Sequence, residues 1–309
     1  MNRQGNAIAV RASGNAPLIW RITCPSTSIH MYPFKRILLP IDYSDPCNLV
    51  MPYAKEMADR FSATLTLVHA YGPDSVRHMD RPLSDPGLVE ATHNSEVLNL
   101  KKFARETFPG RHVDCFADLG EPGNVIQTVV QHQGTDLVML ATHGRGAVRR
   151  FLLGSVAAKV LHDCSAAVWT STESAMNANA SPACKSILCA VDSSGESDAV
   201  LAFAAAFSSA CHASLRLVHV VEMPSSSLDV RFITDAAATR IREMKAALNI
   251  DAPHIVLQGA ASVNICEEAR RHNCDLIVAG RGHWQMILSD LWSRLYHIVR
   301  ESPCPVLSI

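Results

Sequence analysis

A chain of 309 residues with 48% apolar side chains and a formal net charge of −1 is long enough for about two packed domains. The near-neutral balance excludes a broad basic nucleic-acid surface and an acidic tail. No apolar run approaches the ~20 residues that span a bilayer, and none of the ten cysteines forms C-x-x-C or a zinc-type pattern with histidine. A cytoplasmic protein with reduced thiols is expected.

Residues 1–33 read as an extension. The first thirty carry Arg3, Arg11 and Arg21 and no acid. Their apolar patch, Pro17 to Trp20, is shorter than a signal-peptide core of roughly 7–15 residues. The composition leaves a transit peptide open. The simpler expectation is that Met31 is the start and that the extension is disordered or untranslated.

The first strand runs from Lys35 to Asp42, ending at an acid. Asp45-Pro46 reads as an N-cap with proline at N1. Leu49, Val50, Tyr53, Ala54, Met57, Ala58 and Phe61 then recur at helical steps, with Pro52 expected to kink the helix or delay its start. Thr64 to Ala70 is a second strand, residues 72–85 a loop, and Pro86 to Phe108 a helix. Val113 to Ala117 is a third strand. Gly123 to Gln133 carries one apolar face, and Gly134 can close that helix.

Next come a short apolar strand, Leu137 to Leu140, a loop with Gly144 and Gly146, and a helical segment opened by Gly154-Ser155. Strand, glycine loop and helix N-terminus can hold a phosphate, because glycine admits close backbone approach and first-turn N–H groups face the anion. Arg145, Arg149 and Arg150 lie in or after the loop. No Gly-Lys-Ser/Thr is present, so this is no P-loop. A glycine turn that only packs a helix onto a sheet remains the alternative. Ala166 to Thr170 is the last strand of this half.

Ser171 to Cys184 is small and polar and reads as a linker. After it the pattern repeats. Asp192 falls 150 residues after Asp42, and His219 falls 150 after His69. Asp275 to Ala279 mirrors Asp136 to Leu140. Strands alternating with helices imply parallel sheets, in which ligands sit beyond the carboxyl ends of the strands. Asp42, His69-Ala70 and Ala141 to Gly144 converge there. His69 and His219 suit a structural or pocket-edge role, whereas His143 is either a phosphate donor or an exposed loop residue. No catalytic triad spacing, nucleophile elbow or metal-ligand cluster appears.

These residues resemble a tandem universal stress protein, over about Phe34 to Thr170 and Lys185 to Ile309. That family's ATP-binding members carry G-x2-G-x9-G-[S/T] after strand four. In the first half Ala141 stands at the first glycine, Gly144 at the second, and Gly154-Ser155 at the third element. Asp42, preceded by Pro40 and Ile41, matches the strand-one acid. Ala70 follows the strand-two histidine, and Leu140 and Ala141 end strand four. The resemblance implies that Asp42 and Ala70 flank an adenosine while Gly144, Gly154, Ser155 and Val156 hold its phosphates. In the second half Asp192, Val220 and Gly280 fit, but the loop is one residue short at Gly280-Arg281-Gly282. Trp292, followed by Ser293, replaces the third glycine, and Asp290 adds negative charge nearby. That site reads as degenerate, lost or reassigned.

The resemblance implies two tandem, doubly wound α/β domains at 34–170 and 185–309. Each would be a five-stranded parallel sheet flanked by helices, of the adenine nucleotide alpha hydrolase-like kind. It implies ATP in the first domain, with or without Mg²⁺, in a nucleotide-dependent stress-signalling module. A slow ATPase or phosphotransferase and a scaffold or small-ligand protein that binds no nucleotide stay open. The halves are expected to pack as an intramolecular pseudo-dimer through their last strands, with a homodimer allowed and no nucleic acid or membrane as partner.

Overall fold

The computed structural model describes residues 23–24, 27–28, 34–72, 86–143, 153–173, 175, 182–192, 197–222, 230–281 and 290–309. Within 1–33, Thr23–Cys24 and Thr27–Ser28 pair antiparallel. The first half then runs β1 (Arg36–Pro40), α1 (Asp45–Phe61), β2 (Thr64–Tyr71), α2 (Pro86–Thr107), β3 (Val113–Leu119), α3 (Pro122–Gln133), β4 (Leu137–Ala141), α4 (Ser155–Asp163) and β5 (Ala167–Ser171). The second half repeats that order: β6 (Ser186–Ala190), α5 (Ser197–Cys211), β7 (Ser214–Val221), α6 (Val230–Ala247), β8 (His254–Gln258), α7 (Ala261–Arg271), β9 (Leu276–Ala279), α8 (Asp290–Glu301) and β10 (Val306–Ser308).

The two five-stranded sheets fuse into one sheet of ten strands, ordered β8-β7-β6-β9-β10-β5-β4-β1-β2-β3. Pairing is parallel within each half and antiparallel only where β5 meets β10, with Trp169 opposite Leu307. The pseudo-dimer through the last strands is therefore present. Central strands read as unbroken apolar runs because both faces are covered by helices. Leu38 points to one face, and Ile37 and Leu39 to the other.

Each face carries one core that continues across both halves. On the α1 and α5 face, Phe34 meets Phe203 at 5.9 Å and Phe207 at 6.1 Å, and Phe61 meets Phe207 at 5.7 Å between ring centroids. Arg60, at the end of α1, donates to the Ala210 carbonyl of α5 at 3.3 Å. Two buried hydroxyls stitch the antiparallel seam, Thr170 to the Val306 carbonyl and Ser308 to the Val168 carbonyl.

An aspartate staples the start of each half. Asp136 accepts from the Lys35 and Arg36 amides at 2.8 and 3.0 Å, and Asp275 from those of Lys185 and Ser186 at 2.8 and 2.9 Å. These bonds tie β4 to β1 and β9 to β6 at the edge opposite the strand carboxyl ends.

Three local expectations are corrected. The N-cap of α1 is Ser44, not Asp45: its hydroxyl accepts from the Cys47 amide at 3.3 Å, and Asp45 and Pro46 follow in the first turn. Pro52 does not delay the start of α1, which begins at Asp45 and runs through it. Asn48, whose carbonyl Pro52 leaves without a helical donor, is exposed, so solvent is available to it. Strand β5 takes Ser171 from the sequence-defined linker, and Thr172 and Ala175 are buried as well.

Candidate functional site

The parallel order β4-β1-β2 brings three strand ends to one edge of the first half. Ile41 leaves β1 with its amide donating to the Val68 carbonyl at 2.8 Å. Its own carbonyl accepts from His69 Nδ1 at 2.7 Å. A carbonyl can only accept, so Nδ1 carries the proton and the tautomer is fixed. His219 makes the same bond to the Val191 carbonyl at 2.8 Å. The histidine repeat is thus a strut holding the end of the first strand against the second. His69 Nε2 lies 3.9 Å from Glu96 of α2.

Asp42 is half-buried. Its Oδ1 accepts from the Ser44 amide at 3.0 Å and from the Ser44 hydroxyl at 2.6 Å. Tyr43 between them has φ 58, and its ring packs on His69 at 4.9 Å and on Phe103 at 5.6 Å. The left-handed turn is costly for a tyrosine, and this packing holds it. It folds Ser44 back onto Asp42, so the acid orients the residue that caps α1. Beside it, burial pushes the Cys47 thiol up to about 11, which makes it a packing group rather than a nucleophile.

On the neighbouring strand, Leu140 is buried, Ala141 is partly exposed and Thr142 is fully buried. The Thr142 amide donates to the Ser171 carbonyl at 2.9 Å, and its own carbonyl accepts from the Gly154 amide at 2.8 Å. A Cβ on Gly154 would stand 2.9 Å from that oxygen, so the glycine is required by close backbone approach rather than by φ, which is −60. Gly154 is the N-cap of α4 and supplies no side-chain cap. Ser155 is the first helical residue and is exposed, and Val156 behind it packs partly into the core. The first-turn amides of α4 thus receive no side-chain cap from Gly154. His143 Nδ1 lies 2.9 Å from the Thr142 hydroxyl, while its Nε2 is buried with no hydrogen-bond partner among the described residues.

Pro40, Ala70, Leu140, Ala141, Ser155 and Val156 lie on these elements, Ile41 and Asp42 just after β1, and Gly154 just before α4. Gly144, Gly146, Arg145, Arg149, Arg150 and Gly282 lie outside the described residues. Thr142 was not singled out in the sequence. Eleven residues separate it from Gly154, and no local pattern marks the contact of its carbonyl with that glycine.

The second half differs at the same edge. Asp192 again engages a serine, here Ser197 from the first turn of α5. A cavity of about 110 Å³ opens beside it, lined by Asp192, Ser197, Val220, Gly280, Arg281 and Arg294 among others. Sequence reading missed Ser197 and Arg294. Helix α8 starts at Asp290, so Trp292 lies inside the helix rather than at its cap. The glycine cradle is therefore not repeated there. Arg294 is paired with Glu222, whose other oxygen caps α7 at the Ala261 amide at 3.1 Å.

Among the described residues no group of three His, Cys, Asp or Glu could hold a metal ion, and no helix is long and apolar enough to cross a membrane. Cys47 and the eight cysteines from Cys115 to Cys304 are free.

Comparison with known proteins agrees with this architecture. A Thermus aquaticus universal stress protein is 30% identical over 128 residues, which are 41% of this chain and 91% of that protein. The relative is thus about as long as one half. Over both halves, a universal stress protein from Archaeoglobus fulgidus superposes with a TM-score of 0.64 at 16% identity, covering 88% of this chain and 95% of that one. A Pseudomonas aeruginosa PAO1 protein of unknown function gives 0.63 at 17% identity, covering 89% and 92%. At these identities the superpositions speak for the fold alone. The model of the universal stress protein family matches twice, over residues 33–171 and 184–309, and the chain belongs to that family as two tandem domains.

Proposed function

We propose that the first half binds ATP and that occupancy, rather than turnover, is its output. The observation that carries this is the cradle at Gly154. The backbone of Gly154 lies against Thr142 in a space that any Cβ would fill, and it opens a helix without a side-chain cap. First-turn N–H groups held this way suit the oxygens of a polyphosphate. His143 Nε2 adds a polar atom without a partner among the described residues. In the tautomer where the Thr142 hydroxyl donates to Nδ1, Nε2 carries the proton and can donate to an anion. Asp42 and Ala70, at the ends of neighbouring strands, suit the nucleoside. The carboxylate can accept from sugar hydroxyls, and the small methyl of alanine leaves room for a base.

A bound triphosphate would order the start of α4 and shift the population toward that state. Asp42 is committed through Oδ1 to Ser44, which suits a structural acid better than a general base. The test is incubation of the full chain with ATP and Mg²⁺, then mass spectrometry of the retained nucleotide. Intact ATP recovered after hours supports the reading. Steady release of ADP would make the protein an enzyme, and no retention at millimolar nucleotide would leave a scaffold.

A further inference from the structure

Helix α4 is gripped at both ends by the other half of the chain. At its entry, the Leu153 amide donates to the Tyr296 hydroxyl of α8 at 3.2 Å. Leu153 immediately precedes the cradle glycine. At its exit, the Arg281 guanidinium donates to the carbonyls of Cys164, the C-cap of α4, and Ala166. A guanidinium at a helix C-terminus meets carbonyls that no helical amide can satisfy.

The support runs one way. The Thr142 amide donates to Ser171 and the Arg281 amide to Ile309, both at 2.9 Å, so Thr142 and Arg281 are equivalent positions. Helix α4 ends with the Cys164 amide on Val160, and α8 with the Ser302 amide on Ile298. That alignment places Ala158 opposite Tyr296. The first half therefore offers a methyl and a short hydroxyl where the second offers a phenol and a guanidinium. The buried Thr142 hydroxyl is engaged with His143, and alanine has nothing to donate or accept.

We infer that the second half serves as a support for the first: Tyr296 and Arg281 are positioning residues that hold α4, and with it the Gly154 cradle, in its binding geometry. This rests on the reading of that cradle as a phosphate site, and it explains why a half without a repeated cradle keeps its contacts to α4. Arg281 also lines the cavity beside Asp192, and Arg294, Leu295 and Ile298 of α8 line it around Tyr296. Whatever fills that cavity bears on the Arg281 grip.

The test uses the full chain carrying Tyr296→Phe, which removes one hydroxyl and keeps the ring. Backbone hydrogen exchange without nucleotide should speed up at Leu153 and the first turn of α4 by about three- to tenfold, the scale of one lost hydrogen bond. Exchange in α3 should not change. ATP affinity should fall by a similar factor. Arg281→Lys, which loses the two-pronged donation, should act in the same direction from the other end. Unchanged exchange at Leu153, or faster exchange with unchanged ATP affinity, overturns the inference. If the wild-type chain does not bind ATP, the nucleotide reading fails by itself, and exchange alone decides whether the second half positions α4.

Discussion

The Gly154 amide donates to the Thr142 carbonyl at 2.8 Å, and a Cβ on Gly154 would lie 2.9 Å from the same oxygen. Neither partner can retreat easily, because the Thr142 amide is itself bonded to Ser171. Gly154→Ala should therefore push α4 away from β4. The strain should cost about 1–3 kcal/mol, lowering the melting temperature by about 2–4 °C per kcal/mol. A melting curve identical to wild type would show that the approach is not tight.

His69 and His219 should matter to stability rather than to chemistry. His69→Leu leaves the Ile41 carbonyl without its 2.7 Å donor. Leaving such a group unpaired costs about 1–3 kcal/mol. His219→Leu should cost a similar amount at Val191, because the bond is the same. Denaturant titration of the two variants checks this. A loss at His69 with none at His219 would mean that the histidines differ in role.

The staple at Asp136 gives a pH signature. Burial raises its carboxyl above the usual value of 3.8, while the amides of Lys35 and Arg36 pull the other way. A raised folded-state pKa means that the folded chain holds this proton more tightly than the unfolded chain. The contribution is fully present below the unfolded value and is lost as pH rises through the folded value. Asp136→Asn does not titrate and leaves one amide less well served. Its deficit against wild type should be largest in acid and shrink toward neutral pH. A deficit that grows with pH would contradict the sign.

The aromatic cluster between the halves should set their cooperativity. Phe207 touches Phe34 and Phe61 of the first half and stacks on Phe203 at 5.7 Å. Phe207→Ala should cost about 3–5 kcal/mol. Because the lost contacts cross between halves, a single melting transition should broaden or split in calorimetry. A uniform downward shift of one sharp transition would show that β5 and β10 suffice to couple them.

The sequence announced what repeats locally. Asp42 with Asp192 and His69 with His219 recur at one offset because each half folds the same strand ends. Gly134 closes α3 in the left-handed region, φ 57, as a helix-ending glycine does. What the sequence hid depends on distant packing. Asp45-Pro46 looked like a cap because Ser44 earns that role only through Asp42 and the turn at Tyr43. Arg281 stands between two glycines in a loop of the sequence, yet its partners are carbonyls of the other half. Tyr296 lies on an amphipathic helix with nothing to mark its hydroxyl. The second-half site reads from sequence as lost or reassigned, and the walls of the cavity beside Asp192 depend on where Arg294 and Ile298 fall once α8 starts at Asp290.

The most direct measurement is titration calorimetry of ATP into the full chain and into Gly154→Trp, which places at the cradle the residue found at the matching position of the second half. The wild-type chain should bind one ATP per chain, and the variant none while still melting cooperatively. An unchanged affinity in the folded variant would contradict a phosphate site at the start of α4, and two ATP per chain would contradict a second half without one.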